Sequence, residues 1–164
     1  MLVLERLRSD HGAAVYHFET ANRDYFNASI TDRGDEYFAN FAQHHQTSLD
    51  EQASGQCAYY LLVDDDGAVV GRFNLYDIAD GEAEVGYRVA GPATGRGVAT
   101  EALRTLCEVA RSQWALRTLR ARTSDENVAS QRVLEKCGFV VDGVAEVGGR
   151  PGRTYRSSLE PAKT

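Results

Sequence analysis

The sequence predicts an α+β fold, a mixed and mostly antiparallel sheet of about six to seven strands with about four flanking helices, built by residues 1–160 as one domain. Three observations lead there. Strand-like runs in the middle of the chain are joined by very short turns, "DDDG" between Cys57 to Val63 and Ala68 to Ile78, and "DIADGE" before Glu84 to Ala90. Connections that short join antiparallel neighbours. From Gly95 onward the pattern changes to helix, strand, helix, strand, so the strands flanking the Gly95 helix are expected to be parallel, linked by a crossover. A length of 164 residues suits a single sizeable core.

Taken in order, Leu2 to Leu7 alternates enough for a first strand, and Ser9 and Asp10 then offer an N-cap to a helical pattern carrying Val15, Phe18, Tyr25 and Phe26. The polar stretch "NASITDRGD" connects this to a second helical segment from Asp35 to Gln52, with Tyr37, Phe38, Phe41 and Leu49 on its apolar side. After the three meander strands, Val98, Ala102, Leu103, Leu106 and Ala110 recur on one helical face. Leu116 to Thr123 reads as a strand. The next helix, Asn127 to Lys136, has a start signal in "TSDEN" and a stop in "EKCG", with Lys136 near its negative pole and Gly138 at the left-handed position. Phe139 to Val147 is the following strand, and "EVGGRPGRTYRSSL" turns into a last one from Thr154 to Leu159. The tail "EPAKT" is expected to fray.

Composition narrows the function classes. Hydrophobic residues make up 43% and charged ones 26%, and no apolar run approaches the roughly 18 residues a membrane span needs. "MLVLERLRSDHG" is too short and too charged for a signal peptide, so a soluble cytoplasmic protein without a membrane partner is expected. Cys57, Cys107 and Cys137 form no CxxC pair, which points to reduced thiols and against a disulfide scaffold or a bound metal. The first 90 residues hold 6 Arg against 16 Asp and Glu, and residues 91–164 hold 12 Lys and Arg against 8. This is either scatter on a solvated surface or a division of labour, with an acidic half suited to a cationic ligand and a basic half to an anionic one. No nucleic acid is expected as a partner, because the chain is acidic and its arginines are not interleaved with stacking aromatics.

The most informative stretch is "GPATGRGVATEALRTL", Gly91 to Leu106. A helix start carries unpaired N–H groups and about half a positive charge, and glycines let the backbone approach a phosphate closely. A P-loop would need Lys and Ser/Thr where Val98 and Ala99 stand, and a dinucleotide fingerprint would need glycine at Thr100 and an acidic residue where "RARTS" follows. With "NVASQRVLEKCGF" some thirty residues on, the sequence instead resembles the GCN5-related N-acetyltransferase (GNAT) superfamily, and within it the branch of ribosomal-protein N-terminal acetyltransferases. The superfamily turn follows Q/R-x-x-G-x-G/A, and the Q/R position is Pro92 here.

The resemblance implies acetyl-CoA as co-substrate, bound by Gly95, Arg96, Gly97, Val98, Ala99 and Thr100 at the turn, by Tyr87, Arg88 and Val89 on a strand splayed from its neighbour, and by Asn127 on the pantetheine arm. It implies attack of a primary amine on the thioester, the acceptor being a protein N-terminus or, as the alternative, a small molecule such as an antibiotic or polyamine. A homodimer stays open. Glu84 is the expected base, with Glu82 second, or both are solvated strand-edge acids. Many relatives protonate the leaving thiolate with a Tyr seven residues after the Asn of the second motif. That position is Leu134 here, and Ser130 is the expected replacement, or else a helix serine bonding back to the preceding turn. The missing Tyr also allows a third alternative, a non-catalytic acyl-CoA-binding module.

Other residues invite weaker assignments. His44 and His45 point about 100° apart on a helix, which suits no shared metal. Asn74 and Tyr76 share a strand face and, with Tyr155, could line an amine site, although packing is the commoner role for such residues. Trp114 and the cysteines read as core.

Overall fold

The computed structural model describes residues 1–28 and 30–159; the tail "EPAKT" lies outside the described residues. Seven strands form one sheet in the order β1-β2-β3-β4-β5-β7-β6. They are β1 (Val3–Arg6), β2 (Ala58–Val63), β3 (Val69–Ala79), β4 (Glu82–Val89), β5 (Thr118–Ser124), β6 (Val140–Val147) and β7 (Arg150–Ser158). Every neighbouring pair is antiparallel except β4 and β5, which are parallel. The crossover read from the sequence is therefore present. The last strand begins four residues earlier than expected. Gly148 and Gly149 adopt φ of 59° and 78°, the left-handed geometry of a two-residue hairpin turn, so pairing resumes at once with Val147 opposite Arg150.

Among the described residues there are six α-helices, where about four were expected: α1 (Gly12–Ala21), α2 (Arg23–Asn27), α3 (Asp35–Ala39), α4 (Phe41–Ala53), α5 (Val98–Trp114) and α6 (Val128–Lys136). Both N-terminal helical stretches break at an asparagine. At Asn22 the side chain donates to the Phe18 carbonyl at 2.9 Å and accepts from the Gly91 N–H at 3.0 Å, offering the backbone an alternative to continued helix. Asn40 bonds back to Glu36 in the same way, 3.1 Å to its carboxylate. Ser9 and Asp10 do not cap α1. They lie in a 3₁₀ turn, Ser9–His11, and His11 ties it down, accepting from the Arg8 N–H at 2.9 Å and meeting the Glu5 carboxylate at 3.0 Å.

The sheet has helices on both faces. On one, Phe73, Leu75, Val85, Leu119 and Tyr155 pack against Leu103 and Leu106 of α5 and Leu134 of α6. On the other, Tyr59, Leu61 and Val63 of β2 pack against Val15 and Phe18 of α1 and Phe26 of α2. Alternation along each strand sets which residues serve which face. Trp114 ends α5 with its indole N–H on the Tyr60 hydroxyl at 3.0 Å, a packing role as expected. His44 pairs with Glu36 at 2.9 Å and His45 stacks on Phe41. No helix among the described residues is long and apolar enough to cross a membrane.

A charged cluster interrupts the second layer. Glu19 of α1 is 1% exposed and accepts from Arg33 at 2.8 and 3.0 Å, Arg72 of β3 at 3.2 Å and Arg88 of β4 at 3.4 Å. Burial alone would raise its carboxyl pKa, but the Arg33 hydrogen bonds and the charges of Arg33, Arg72 and Arg88 outweigh it and hold the pKa below the ordinary value.

Candidate active site

Pairing between β4 and β5 stops at Val85 and Ala121. Beyond that point β4 stays with β3 as far as Val89 opposite Gly71, and β5 stays with β7 as far as Ser124 opposite Gly152. The two parallel strands therefore diverge into a wedge. The Ala90 N–H is taken by the Val70 carbonyl at 2.9 Å, and by the alternation of an antiparallel ladder the main-chain groups of Tyr87 and Val89 turn away from β3, into the wedge. Backbone donors and acceptors thus face open space without a strand partner.

Above the wedge a groove of about 340 Å³ runs to the start of α5, lined by Tyr87, Arg88, Val89, Gly95, Gly97, Val98, Ala99, Thr100 and Asn127. Of the residues expected at the cofactor, only Arg96 stands outside it, exposed at the tip of the turn. Gly95 and Gly97 take φ of 78° and 72°, and a Cβ built on either would meet no protein atom within 4 Å. The N-cap of α5 is Gly97, with no side-chain bond to the first turn. Unspent N–H groups and cleared space are what a phosphate approaching the helix start requires. Pro92 sits in a 3₁₀ turn, Gly91–Ala93, where it shapes the backbone and contributes no polar side chain. Cations come from across the groove, where Arg132 and Lys136 of α6 line it. Sequence reasoning missed them, although their i, i+4 spacing one helix after a cation-poor turn was a usable signal. Arg88 is a third. Burial and the charges of Arg33 and Arg72 bring its pKa down to about 10, which still leaves it charged at neutral pH.

Below the groove lies a second cavity of about 250 Å³ between β4 and β5, closed by α6 and the β6–β7 turn. Among the described residues, Arg122 and Arg150 are its charged lining residues, and no Asp or Glu lines it. Ile30, Tyr87, Asn127 and Ser130 line both cavities, so they mark where the two spaces meet. Asn127 caps α6, accepting from the Ser130 N–H at 3.1 Å. The hydroxyls of Ser130 and Tyr87 lie 3.1 Å apart. Leu134 is buried against the same wall at 1% exposed.

Glu84 stands one step outside this cavity, its carboxylate held by Arg122 Nε at 2.7 Å and Nη2 at 3.3 Å. Glu82 pairs in register with Thr118 at the far end of β4 and lines a separate surface hollow with Arg117 and Arg156. Asn74 and Tyr76 bond to each other at 2.9 Å, with the Tyr76 ring lying over Gly86, where a Cβ would come within 2.8 Å of it. Neither residue lines either cavity. Tyr155 is fully buried in the core.

Residues 1–140 match the family model described as acetyltransferase (GNAT) domain. The chain is 29% identical over 133 residues to the "Probable N-acetyltransferase YjcK" of Bacillus subtilis (strain 168), covering 77% of this chain and 74% of that one. Among solved structures it shares the fold of the ribosomal-protein-S5-alanine acetyltransferase of Vibrio fischeri, with TM-score 0.89, 17% identity and coverage of 99% and 96%. The spermidine N-acetyltransferase SpeG of Vibrio cholerae, as its F149G mutant, matches with TM-score 0.78, 17% identity and coverage of 96% and 94%. Other matched structures of this fold hold CoA or acetyl-CoA.

Proposed function

The chain belongs to the acetyltransferase (GNAT) domain family, and from that membership we propose that it moves the acetyl group of acetyl-CoA to the α-amine at the N-terminus of a cytoplasmic protein or peptide. It is an N-acetyltransferase with acetyl-CoA as acyl donor. Gly95 to Thr100 would take the pyrophosphate, the wedge-facing backbone of Tyr87 and Val89 the pantetheine, and Asn127 the end of that arm. The amine nitrogen bonds to the acetyl carbon, the C–S bond breaks with its electron pair left on sulfur, and the nitrogen gives up a proton to Glu84 or solvent.

The observation that carries the acceptor class is the lining of the lower cavity, which among the described residues has two arginines and no carboxylate. A polyamine brings further ammonium groups into the site, and these would find no free carboxylate, since the nearest ones, Glu84 and Glu126, are already spent on Arg122 and Arg150. A peptide brings one amine, followed by carbonyls that suit both guanidinium groups. The state of Glu84 agrees. Its carboxylate is already engaged by Arg122, and an α-amine with pKa near 8 makes the smaller demand on it, being about a tenth neutral at pH 7, whereas a lysine amine near 10.4 is neutral in fewer than about one molecule in a thousand.

The test is release of free thiol from acetyl-CoA in the presence of peptides with free N-termini, the same peptides N-terminally blocked, and spermidine. Free peptides are expected to react at least about tenfold faster than spermidine, with blocked peptides inert; a factor of that size corresponds to about 1.4 kcal/mol in the transition state. Spermidine reacting fastest would move the assignment to small amines. CoA binding without reaction of any amine would leave the binding module. Glu84→Gln is expected to lower kcat/KM near neutrality by about 10- to 100-fold and to leave CoA affinity unchanged by calorimetry. A rate equal to wild type across the pH range removes Glu84 from the reaction.

A further inference from the structure

The geometry points to Tyr87 as a positioning residue for departure of the CoA sulfur, its side-chain hydroxyl aiming the hydroxyl of Ser130 at the place where the donor groove and the acceptor cavity meet. This rests on the acetyltransferase assignment. In a direct transfer the thioester has to lie where the two spaces join. Of the residues lining both, Ile30 offers no hydrogen bond from its side chain, and Asn127 has its side-chain oxygen engaged as the cap of α6 and its amide assigned to the pantetheine arm. Tyr87 and Ser130 are left, one on β4 and one on α6, with hydroxyl oxygens 3.1 Å apart.

Both are held. The Tyr87 ring stacks on Phe73 with centroids 5.4 Å apart and planes 7° from parallel. Ser130 is fixed one turn into α6 by its N–H bond to Asn127. At Leu134, one turn further on, the wall is apolar, so the hydroxyl pair is the polar group that α6 and β4 present together at the junction. Direction follows from acidity. The Tyr87 hydroxyl has two acceptors in reach on Ser130, the carbonyl at 3.4 Å and Oγ at 3.1 Å; a phenol is a stronger donor than an alkanol, so the shorter contact is assigned as Tyr87 donating to Oγ, which frees the serine proton to point at the ligand. Burial pushes the Tyr87 phenol up to about 12, so it keeps its proton throughout the working range. Hydrogen bonds in such a chain polarise one another, and each strengthens the next.

The step balances without net proton transfer from either residue. The C–S bond breaks, the electron pair stays on sulfur, Ser130 donates a hydrogen bond to the thiolate, and Tyr87 donates one to Ser130. A thiol with pKa near 8.5 leaves readily as its anion, and two hydroxyls in series favour that anion further.

Bound CoA reports this directly, without an acceptor. Its thiol is titrated on the protein by the ultraviolet absorbance of the thiolate, as a difference against protein alone. In the wild type the thiol pKa is expected about one unit below that of free CoA, a tenfold shift in the ionisation constant. Tyr87→Phe, which keeps the ring on Phe73, is expected to return most of that shift, as is Ser130→Ala. The double variant should go no further than either single one, because the two act as one unit. A bound-thiol pKa in Tyr87→Phe equal to that of the wild type, with CoA still bound by calorimetry, overturns the role of Tyr87 alone. Failure of the wild type to bind CoA overturns the donor site, and this inference with it.

Discussion

Glu19→Gln is expected to lower the unfolding free energy by about 3–5 kcal/mol, the usual cost of removing one partner from a buried ion pair. The carboxylate is the common acceptor for Arg33, Arg72 and Arg88. An amide of the same shape would leave three guanidinium groups facing a neutral oxygen in a layer otherwise built from Val15, Phe18, Phe26 and Leu61. Arg72 has little slack, being 8% exposed with its Nε already lacking a partner. Urea unfolding checks the magnitude. Arg33→Met should cost clearly less, because Arg72 and Arg88 still neutralise the carboxylate. The pH dependence has a definite sign. A carboxyl held below its ordinary pKa in the folded state contributes stability that is fully present above the unfolded value and is lost as pH falls through the folded one. The wild-type urea midpoint should therefore decline below about pH 4.5, and the Gln variant should lose less over that window. A variant as stable as the wild type would mean that the arginines find other partners. Arg88 also lines the groove proposed for the cofactor, so the same substitution is expected to weaken CoA binding as that side chain loosens.

This cluster was not legible in the sequence, whereas the glycine turn was, and the reason is physical. A turn before a helix is a local arrangement whose φ requirements and free N–H groups leave their mark within a few consecutive residues, Gly95 to Thr100. The crossover was legible for the same reason, since spacing alone fixes it. Glu19, Arg33, Arg72 and Arg88 come from separate parts of the chain and meet only after the sheet has formed. One trace existed: Glu19 lies four residues after Val15, on the face of α1 that Val15 buries, and Arg72 interrupts an apolar strand. Polar residues at buried positions require partners, though their identity had to await the fold. The Glu84–Arg122 pair and the Tyr87–Ser130 contact are similar cases, each joining elements that the sequence placed separately. The breaks at Asn22 and Asn40 show the converse. Helical periodicity persisted across them, and a side chain competing for backbone groups ended the helices.

Gly97→Asp is expected to weaken CoA binding by at least about 100-fold, roughly 2.7 kcal/mol, while the protein stays folded. Gly97 is the N-cap of α5 at a φ of 72°, and nothing within 4 Å would meet its Cβ, so the added carboxylate projects into the open groove. There it competes for the first-turn N–H groups of α5 as an N-cap acceptor and repels the phosphates those groups would bind. Stability responds to a left-handed backbone cost of about 1–2 kcal/mol, against which an Asp in place of a glycine cap returns only a few tenths of a kcal/mol. The backbone cost prevails, so the unfolding midpoint should fall by a few degrees while the protein stays folded. Gly97→Ala separates the effects, because it carries the backbone cost without the charge and should lose far less affinity than the Asp variant. Calorimetric titration with CoA measures both. If the Asp variant bound CoA within about threefold of the wild type, the phosphates would have to be held elsewhere, by Arg132 and Lys136 across the groove, and the helix start would be only a turn. The expected ordering, wild type over Ala over Asp in affinity with the two variants at similar stability, arises only if the backbone at Gly97 itself meets the ligand.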